Sequence, residues 1–364
     1  MSSHKKHLNL YVKTFCKMEN LSIDILKDLL LIPSPSGDET TIINKVETHL
    51  KDLVDDIFRD VCGNLIAIKR GKTNRKLMLS AHADEVGMMV TYIDDDGFLY
   101  FQELGGIDTN LLPGQRVEIH NHQGIVYGII GKKPPHLQNR EAKAKDFEAE
   151  DLWIDIAANS KVDAETRVEV GDFITYQTQP IGLNDNVWTS KSLDDKVGLL
   201  TLIEVAKSLK DKQPAMNVYF VASVQEELGA RGVRTATMNI QPDYGIAIDV
   251  THATDYPTCS PQKSGEIKIG NGVVIAKGPN IEPSLERKLI DLAKQYEIKY
   301  QIEPIARPTG TDANFIQVSG KGVKTALLSI PCRYMHSPNE IVSLLDIAEG
   351  VKLLTSLCDI DLDN

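Results

Sequence analysis

From residue 22 the apolar positions recur with a helical period. Ile23, Leu26, Leu29 and Leu30 make one stripe, and Ser22 stands where an N-cap belongs. Pro33-Ser34-Pro35-Ser36-Gly37 breaks that helix, and Ile42, Ile43, Val46 and Leu50 mark a second one. Two strands follow, over 64–69 and 76–80. Between 86 and 184 the texture changes to short alternating segments, over 88–93, 98–103, 116–120, 124–130 and 172–176. Turns such as Asp94-Asp95-Asp96-Gly97 and Asn121-His122-Gln123-Gly124 separate them, which predicts a small antiparallel β domain. The charged stretch 132–150, with Pro134-Pro135, reads as a solvated loop or flap.

The helical period returns with Val197, Leu199, Leu200, Leu202, Ile203, Val205, Ala206 and Leu209, a helix apolar around most of its surface and hence buried. Strands over 218–224, 244–248, 273–276, 300–304 and 325–330 then alternate with helices over 230–238, 284–296 and 344–357. Such alternation predicts an α/β fold, with a mixed, mostly parallel sheet flanked by helices and a small β domain inserted in it. The expected division is an extension over 1–20, a main domain from 21–85 and 185–364, and the insertion over 86–184.

Composition narrows the function. With 40 basic against 51 acidic residues the net charge is −11, which disfavours a nucleic-acid or anionic-membrane binder. Five scattered cysteines without a CxxC pair suit a reducing, cytoplasmic setting. The apolar segment at Leu8 is broken by Asn9 and followed by Lys13, too short for a secretory core, and no run approaches the ~20 apolar residues of a membrane span. Arg70-Gly71-Lys72-Thr73 mimics the end of a phosphate loop, but Ile66 stands where that motif requires glycine.

Candidate chemistry clusters at strand ends. The run Val218 to Val224 leads through Gln225 into Glu226-Glu227. These read either as a catalytic pair beyond a buried strand or as solvated acids opening a helix. His82 and Asp84 follow another strand, either as a metal-binding imidazole with its carboxylate or as a plain loop pair. Asp194 and Asp195 head the central helix, as cap and first-turn acid or as a bridge between cations. Asp249 ends one strand and His336 follows another, while His120 and His122 read as surface residues of a hairpin tip. Taken together, His82, Asp194, Glu226, Glu227, Asp249 and His336 converge on one sheet edge. Two histidines with several carboxylates suit zinc, cobalt or manganese, and a bridging acid accommodates two ions ~3.5–4 Å apart. A glycosidase needs its carboxylates ~5–9.5 Å apart and no metal; a noncatalytic binding or assembly protein needs neither.

The ordered set His82-Ala83-Asp84-Glu85-Val86-Gly87, Ser192-Leu193-Asp194-Asp195-Lys196, Gln225-Glu226-Glu227-Leu228-Gly229, Asp249, Gly310-Thr311-Asp312-Ala313-Asn314 and Tyr334-Met335-His336-Ser337-Pro338 carries a resemblance. The chain resembles the TET-type metalloaminopeptidases, the glutamyl and leucyl aminopeptidase family within the co-catalytic zinc exopeptidases, over nearly all of its length after residue 21. The resemblance implies the zinc-exopeptidase fold, peptide substrates with a free N-terminus and two divalent ions, zinc or cobalt. It implies His82 and Asp249 as ligands of one ion, Glu227 and His336 of the other, and Asp194 as the bridge. Glu226 becomes the general base and Asp84 the residue that orients His82. The insertion would serve assembly into a tetrahedral dodecamer. Lys196 departs from the pattern, since many relatives carry arginine there, and so does the extension before Leu21. A deacylase of N-acyl amino acids is the nearest alternative.

Overall fold

The computed structural model describes residues 21–134, 136 and 148–363. The extension expected over 1–20 and most of the charged stretch over 132–150 lie outside the described residues.

Helices α1 (Ile23–Leu30) and α2 (Thr40–Leu50) bury the predicted stripes. Ser22 makes no cap bond; its hydroxyl instead accepts Lys207 Nζ at 2.7 Å, which ties α1 to the central helix. Strand β1 (Asp56–Arg59) escaped prediction because it is short and half exposed, and β2 (Leu65–Lys69) and β3 (Lys76–His82) follow. The insertion supplies β4 (Gly87–Ile93), β5 (Leu99–Leu104), β6 (Arg116–Asn121), β7 (Gly124–Gly131), β8 (Trp153–Asp155) and β9 (Phe173–Tyr176). These close into a barrel in the order β4-β5-β8-β7-β6-β9. Alternating Met88, Val90, Leu99, Phe101, Val117, Ile119 and Ile174 fill its interior. The three residues of β8 are too few to show alternation, so the closing strand was not foreseen. His120 lies within β6, half-buried, with Nε2 2.8 Å from the Thr175 hydroxyl; of the two histidines only His122 sits in the hairpin tip.

The chain then returns to the main sheet through β10 (Ile181–Gly182), β11 (Val187–Ser190), α3 (Leu193–Leu209), β12 (Asn217–Ser223), α4 (Arg231–Ile240) and β13 (Tyr244–His252). It finishes with β14 (Val273–Lys277), α5 (Pro283–Gln295), β15 (Tyr300–Pro304), α6 (Asp312–Val318), β16 (Lys324–Arg333), β17 (Glu340–Ser343) and α7 (Leu344–Cys358). The sheet order is β1-β2-β12-β3-β13-β16-β17-β11-β10, with β14 pairing β15 and β16. Its four central strands, β12, β3, β13 and β16, are mutually parallel, while the flanking pairs of β12 with β2 and of β16 with β17 are antiparallel. Helix α3 packs on β3 and β13 and against α1 and α7, which is why it is apolar nearly all round. Each large aliphatic buried there contributes about 1.5–3 kcal/mol. Helix α6 lies against β13, β16 and α4.

Register sets the site. β3 pairs β13 only as far as Ser80 opposite Ala247, whereas β13 runs on beside β16 to His252 opposite Cys332. Asp249 therefore lies inside β13, past the last paired residue of β3, and does not terminate its strand as the sequence suggested.

Candidate metal centre

His82 is the last residue of β3, and its ring is turned by two neighbours. Nδ1 lies 3.0 Å from the backbone carbonyl of Asp84, and Nε2 lies 2.9 Å from Asp194 Oδ1 and 3.8 Å from Asp249 Oδ1. Asp194 and Asp195 both have non-helical dihedrals, and their carboxylates turn to different partners. Asp195 is the cap, accepting the Gly198 amide at 3.1 Å and that of His82 at 3.2 Å. Asp194 instead reaches into the cluster, where its second oxygen lies 3.3 Å from His336 Nε2.

Glu226 and Glu227 stand in a turn between β12 and α4, which begins only at Arg231; they do not open that helix. Two acids hold the turn through three amide bonds. Asp84 Oδ1 accepts the Glu226 amide at 2.9 Å and Oδ2 accepts the Glu227 amide at 3.0 Å, while Glu39 accepts the Gln225 amide at 3.1 Å. The Ser36 hydroxyl donates to Asp84 as well. His336 lies three residues beyond β16 with Nε2 3.4 Å from Glu227 Oε1. Glu340, buried at the start of β17, accepts the amides of Asp194 at 3.0 Å and His336 at 2.9 Å, so one carboxylate positions two members of the cluster. Two barrel glycines close the far side. A Cβ at Gly105 would lie 3.3 Å from Glu227 Oε2, and one at Gly106 would lie 3.4 Å from His336 Nδ1.

All of the predicted site residues are thus brought together, whereas Ser36, Glu39 and Glu340 were missed. Ser36 donates to the Asp84 carboxylate, and Glu39 and Glu340 accept the amides of Gln225 and Asp194, all far away in sequence; only Gly105-Gly106 at a strand end offered a local hint. Asp84 departs from the expected geometry: its carbonyl is the nearer partner of His82 Nδ1, and its carboxylate, 3.5 Å from that nitrogen, chiefly braces the Glu226-Glu227 turn.

The donors fit divalent cations. Three triads bring ligand atoms within 4.8 Å of one another: His82 with Asp194 and Asp249, Asp194 with Glu227 and His336, and His82 with Glu226 and Glu227. Glu227 Oε1 is buried and has no hydrogen-bond partner among the described residues. The charge state points the same way. Burial pushes the Glu226 carboxyl up to about 10, with further push from Asp249, Asp312 and Glu227. Burial and the Asp194 charge lift Glu227 to about 7 and hold Asp249 well above its ordinary range. Burial opposes charge on His336, but its bond to Asp194 and the Glu227 charge hold it up at about 9. So many carboxyls in one buried cluster suit added cations, which remove the repulsion.

The M42 glutamyl aminopeptidase family matches residues 63–353. Lysyl aminopeptidase from Pyrococcus furiosus is 39% identical over 345 residues, covering 92% of this chain and 96% of that protein. Among solved structures, a TET aminopeptidase from Thaumarchaeota archaeon SCGC AB-539-E09 superposes with a TM-score of 0.90 at 31% identity, covering 94% of this chain and 97% of the other. The Pyrococcus horikoshii TET1 peptidase, described as assembling into a tetrahedron or a large octahedral shell, gives 0.82 at 35% identity, covering 92% and 98%. On the extent of these matches, this chain belongs to the M42 glutamyl aminopeptidase family and is a metal-dependent aminopeptidase.

Proposed function

We propose that two divalent ions, zinc or cobalt, are held by His82 with Asp249 and by Glu227 with His336, with Asp194 between them, and that Glu226 is the general base for release of the N-terminal residue of a peptide. The observation that carries this reading is the position of Asp194, whose two oxygens face two different imidazoles at 2.9 and 3.3 Å. When bound, such ions lower the pKa of water and polarise a carbonyl. Glu226 accepts the proton from the water oxygen as it attacks the scissile carbonyl carbon, and delivers that proton to the amine nitrogen as the C–N bond breaks. The Asp84 carbonyl fixes the His82 tautomer by accepting from Nδ1, which leaves Nε2 as the ligand atom.

The test is to strip metal with a chelator and assay free-amine and N-acetylated aminoacyl substrates with zinc or cobalt restored. Hydrolysis of free amines only, lost on stripping and regained on addition, is expected. Equal turnover of N-acetylated substrates makes the protein a deacylase, and chelator-insensitive cleavage of a polysaccharide makes it a glycosidase.

The barrel is proposed as the assembly domain of a homo-oligomer, the dodecamer being its closed form. Supporting this, β7 presents Ile125, Tyr127 and Ile129 outward, an apolar stripe on the barrel's exterior. The four described cysteines are unpaired, which suits the cytoplasm, and no helix among the described residues is long and apolar enough to cross a membrane.

A further inference from the structure

Glu303 is a half-buried carboxylate that the reaction above does not use. It lies on β15, and both its oxygens accept from one hydroxyl, that of Thr251, at 2.8 and 2.9 Å. Among the described residues no basic side chain pairs with it. Lys277, on the neighbouring β14, is committed to Glu286, and Arg333 is committed to Asp255. Burial consequently raises its pKa, and the Thr251 bond only partly opposes this.

Its position relates it to the metal centre. Thr251 and Asp249 are two residues apart on β13, so their side chains share a face about 7 Å apart along the strand. That face is the one covered by α6, since a Cβ at Gly245, of the same parity, would lie 2.6 Å from Ile316 Cγ2, too close to fit. The chain leaving Glu303 also returns to the cluster. It passes Thr309, held by the Asn280 side chain at 2.9 Å, and reaches Asp312, whose Oδ2 accepts the hydroxyls of Ser80 at 3.0 Å and Ser223 at 2.7 Å. Ser80 precedes His82 on β3, and Ser223 ends the strand that leads to Glu226. The segment 303–312 thus forms a wall beside the centre, with an uncompensated acid at its outer end.

We infer that Glu303 selects a basic N-terminal side chain, lysine or arginine, for the aminopeptidase reaction; the inference rests on the reading that the cluster processes the N-terminal residue. A lysine ammonium stands roughly 6 Å from its own Cα at the end of an extended four-carbon stem, which matches the offset between Asp249 and Thr251. Each Glu303 oxygen keeps a lone pair free for an ammonium or for one arm of a guanidinium. A leucine side chain meeting the same carboxylate desolvates it without return.

The experiment measures kcat/KM for lysyl, arginyl, leucyl and glutamyl anilides with the metal-loaded full-length protein, Glu303→Gln and Glu303→Lys. Lysyl and arginyl substrates are expected to exceed leucyl at least tenfold. In Glu303→Gln the lysyl-to-leucyl ratio falls at least tenfold, mainly through KM, and in Glu303→Lys the preference moves to glutamyl. A merely structural loss lowers all four substrates together and leaves the ratio where it was; that outcome, or a native preference for leucyl, overturns the inference. Failure of the native protein on all four anilides overturns the aminopeptidase reading beneath it.

Discussion

The Asp84 carboxylate accepts the backbone amide of Glu226 at 2.9 Å, so the acid that follows the first histidine of the site also shapes the turn that carries its proposed base. Its other oxygen takes the Glu227 amide at 3.0 Å. In Asp84→Asn one carboxamide must face two buried N–H groups, and its own N–H₂ meets one of them as a second donor. A buried donor left unpaired costs about 1–3 kcal/mol. We expect kcat to fall about 10–100-fold, the range for residues that orient metal ligands. Metal analysis beside steady-state kinetics checks this, and a variant with native kcat contradicts the brace.

Glu226→Gln keeps the shape of the side chain and removes its capacity to carry a proton. A positioned general base is worth roughly 10²–10⁴-fold. The variant is expected to lose that much kcat while binding its metals as the native protein does. Near-native turnover, or an empty metal site, contradicts the assignment of Glu226 as base and not ligand.

Asp194→Asn tests the bridge. Its oxygens face His82 and His336 separately, and an amide presents only one good donor atom to a cation. The metal content is expected to fall by at least one ion per chain, measured by atomic emission after dialysis. A full complement of two ions rules the bridging role out.

Much of this site was legible because its members stand at the ends of apolar runs. The strand that ends in His82, the run leading to Glu226 and the helix headed by Asp194 are all marked by their own hydrophobic pattern. What escaped is held by long-range amide bonds. Glu340 serves Asp194 across 146 residues, and no periodicity carries such a contact. The same limit applied to the barrel: β4, β5, β6, β7 and β9 alternate visibly, but closure depends on the three residues of β8. Asp249 was placed at a strand end because the sequence does not reveal that β13 outruns its β3 pairing.

The outward stripe on β7 makes a separate prediction. Tyr127 is 64% exposed between Ile125 and Ile129, an arrangement that leaves apolar surface in water unless another copy covers it. Tyr127→Asp is expected to shift native mass spectra from the assembled form toward smaller species while secondary structure is retained. An unchanged mass distribution places the subunit contacts elsewhere.

Glu85 is buried between the amines of Lys191 and Lys196. Lys191 Nζ lies 2.6 Å and Lys196 Nζ 3.1 Å from its Oε1, and that oxygen also accepts the Ser34 amide at 2.9 Å. Burial alone opposes ionisation of Glu85, but the two lysine charges outweigh it and pull the carboxyl from 4.5 down to about 2. Between these two values the unfolded chain binds the proton and the folded chain does not. The contribution to stability is therefore complete above pH 4.5 and is lost as the pH falls toward 2. The shift corresponds to about 3 kcal/mol. Glu85→Gln abolishes this dependence and leaves two buried lysines without their carboxylate, a cost of about 3–5 kcal/mol at pH 5, where Lys196, which burial pulls down to about 7 beside Glu85, is still protonated in the native protein. Urea unfolding of both proteins should give a stability difference that shrinks as the pH falls from 4.5 toward 2. A difference independent of pH across that acid range means that Glu85 is not held ionised by its lysines.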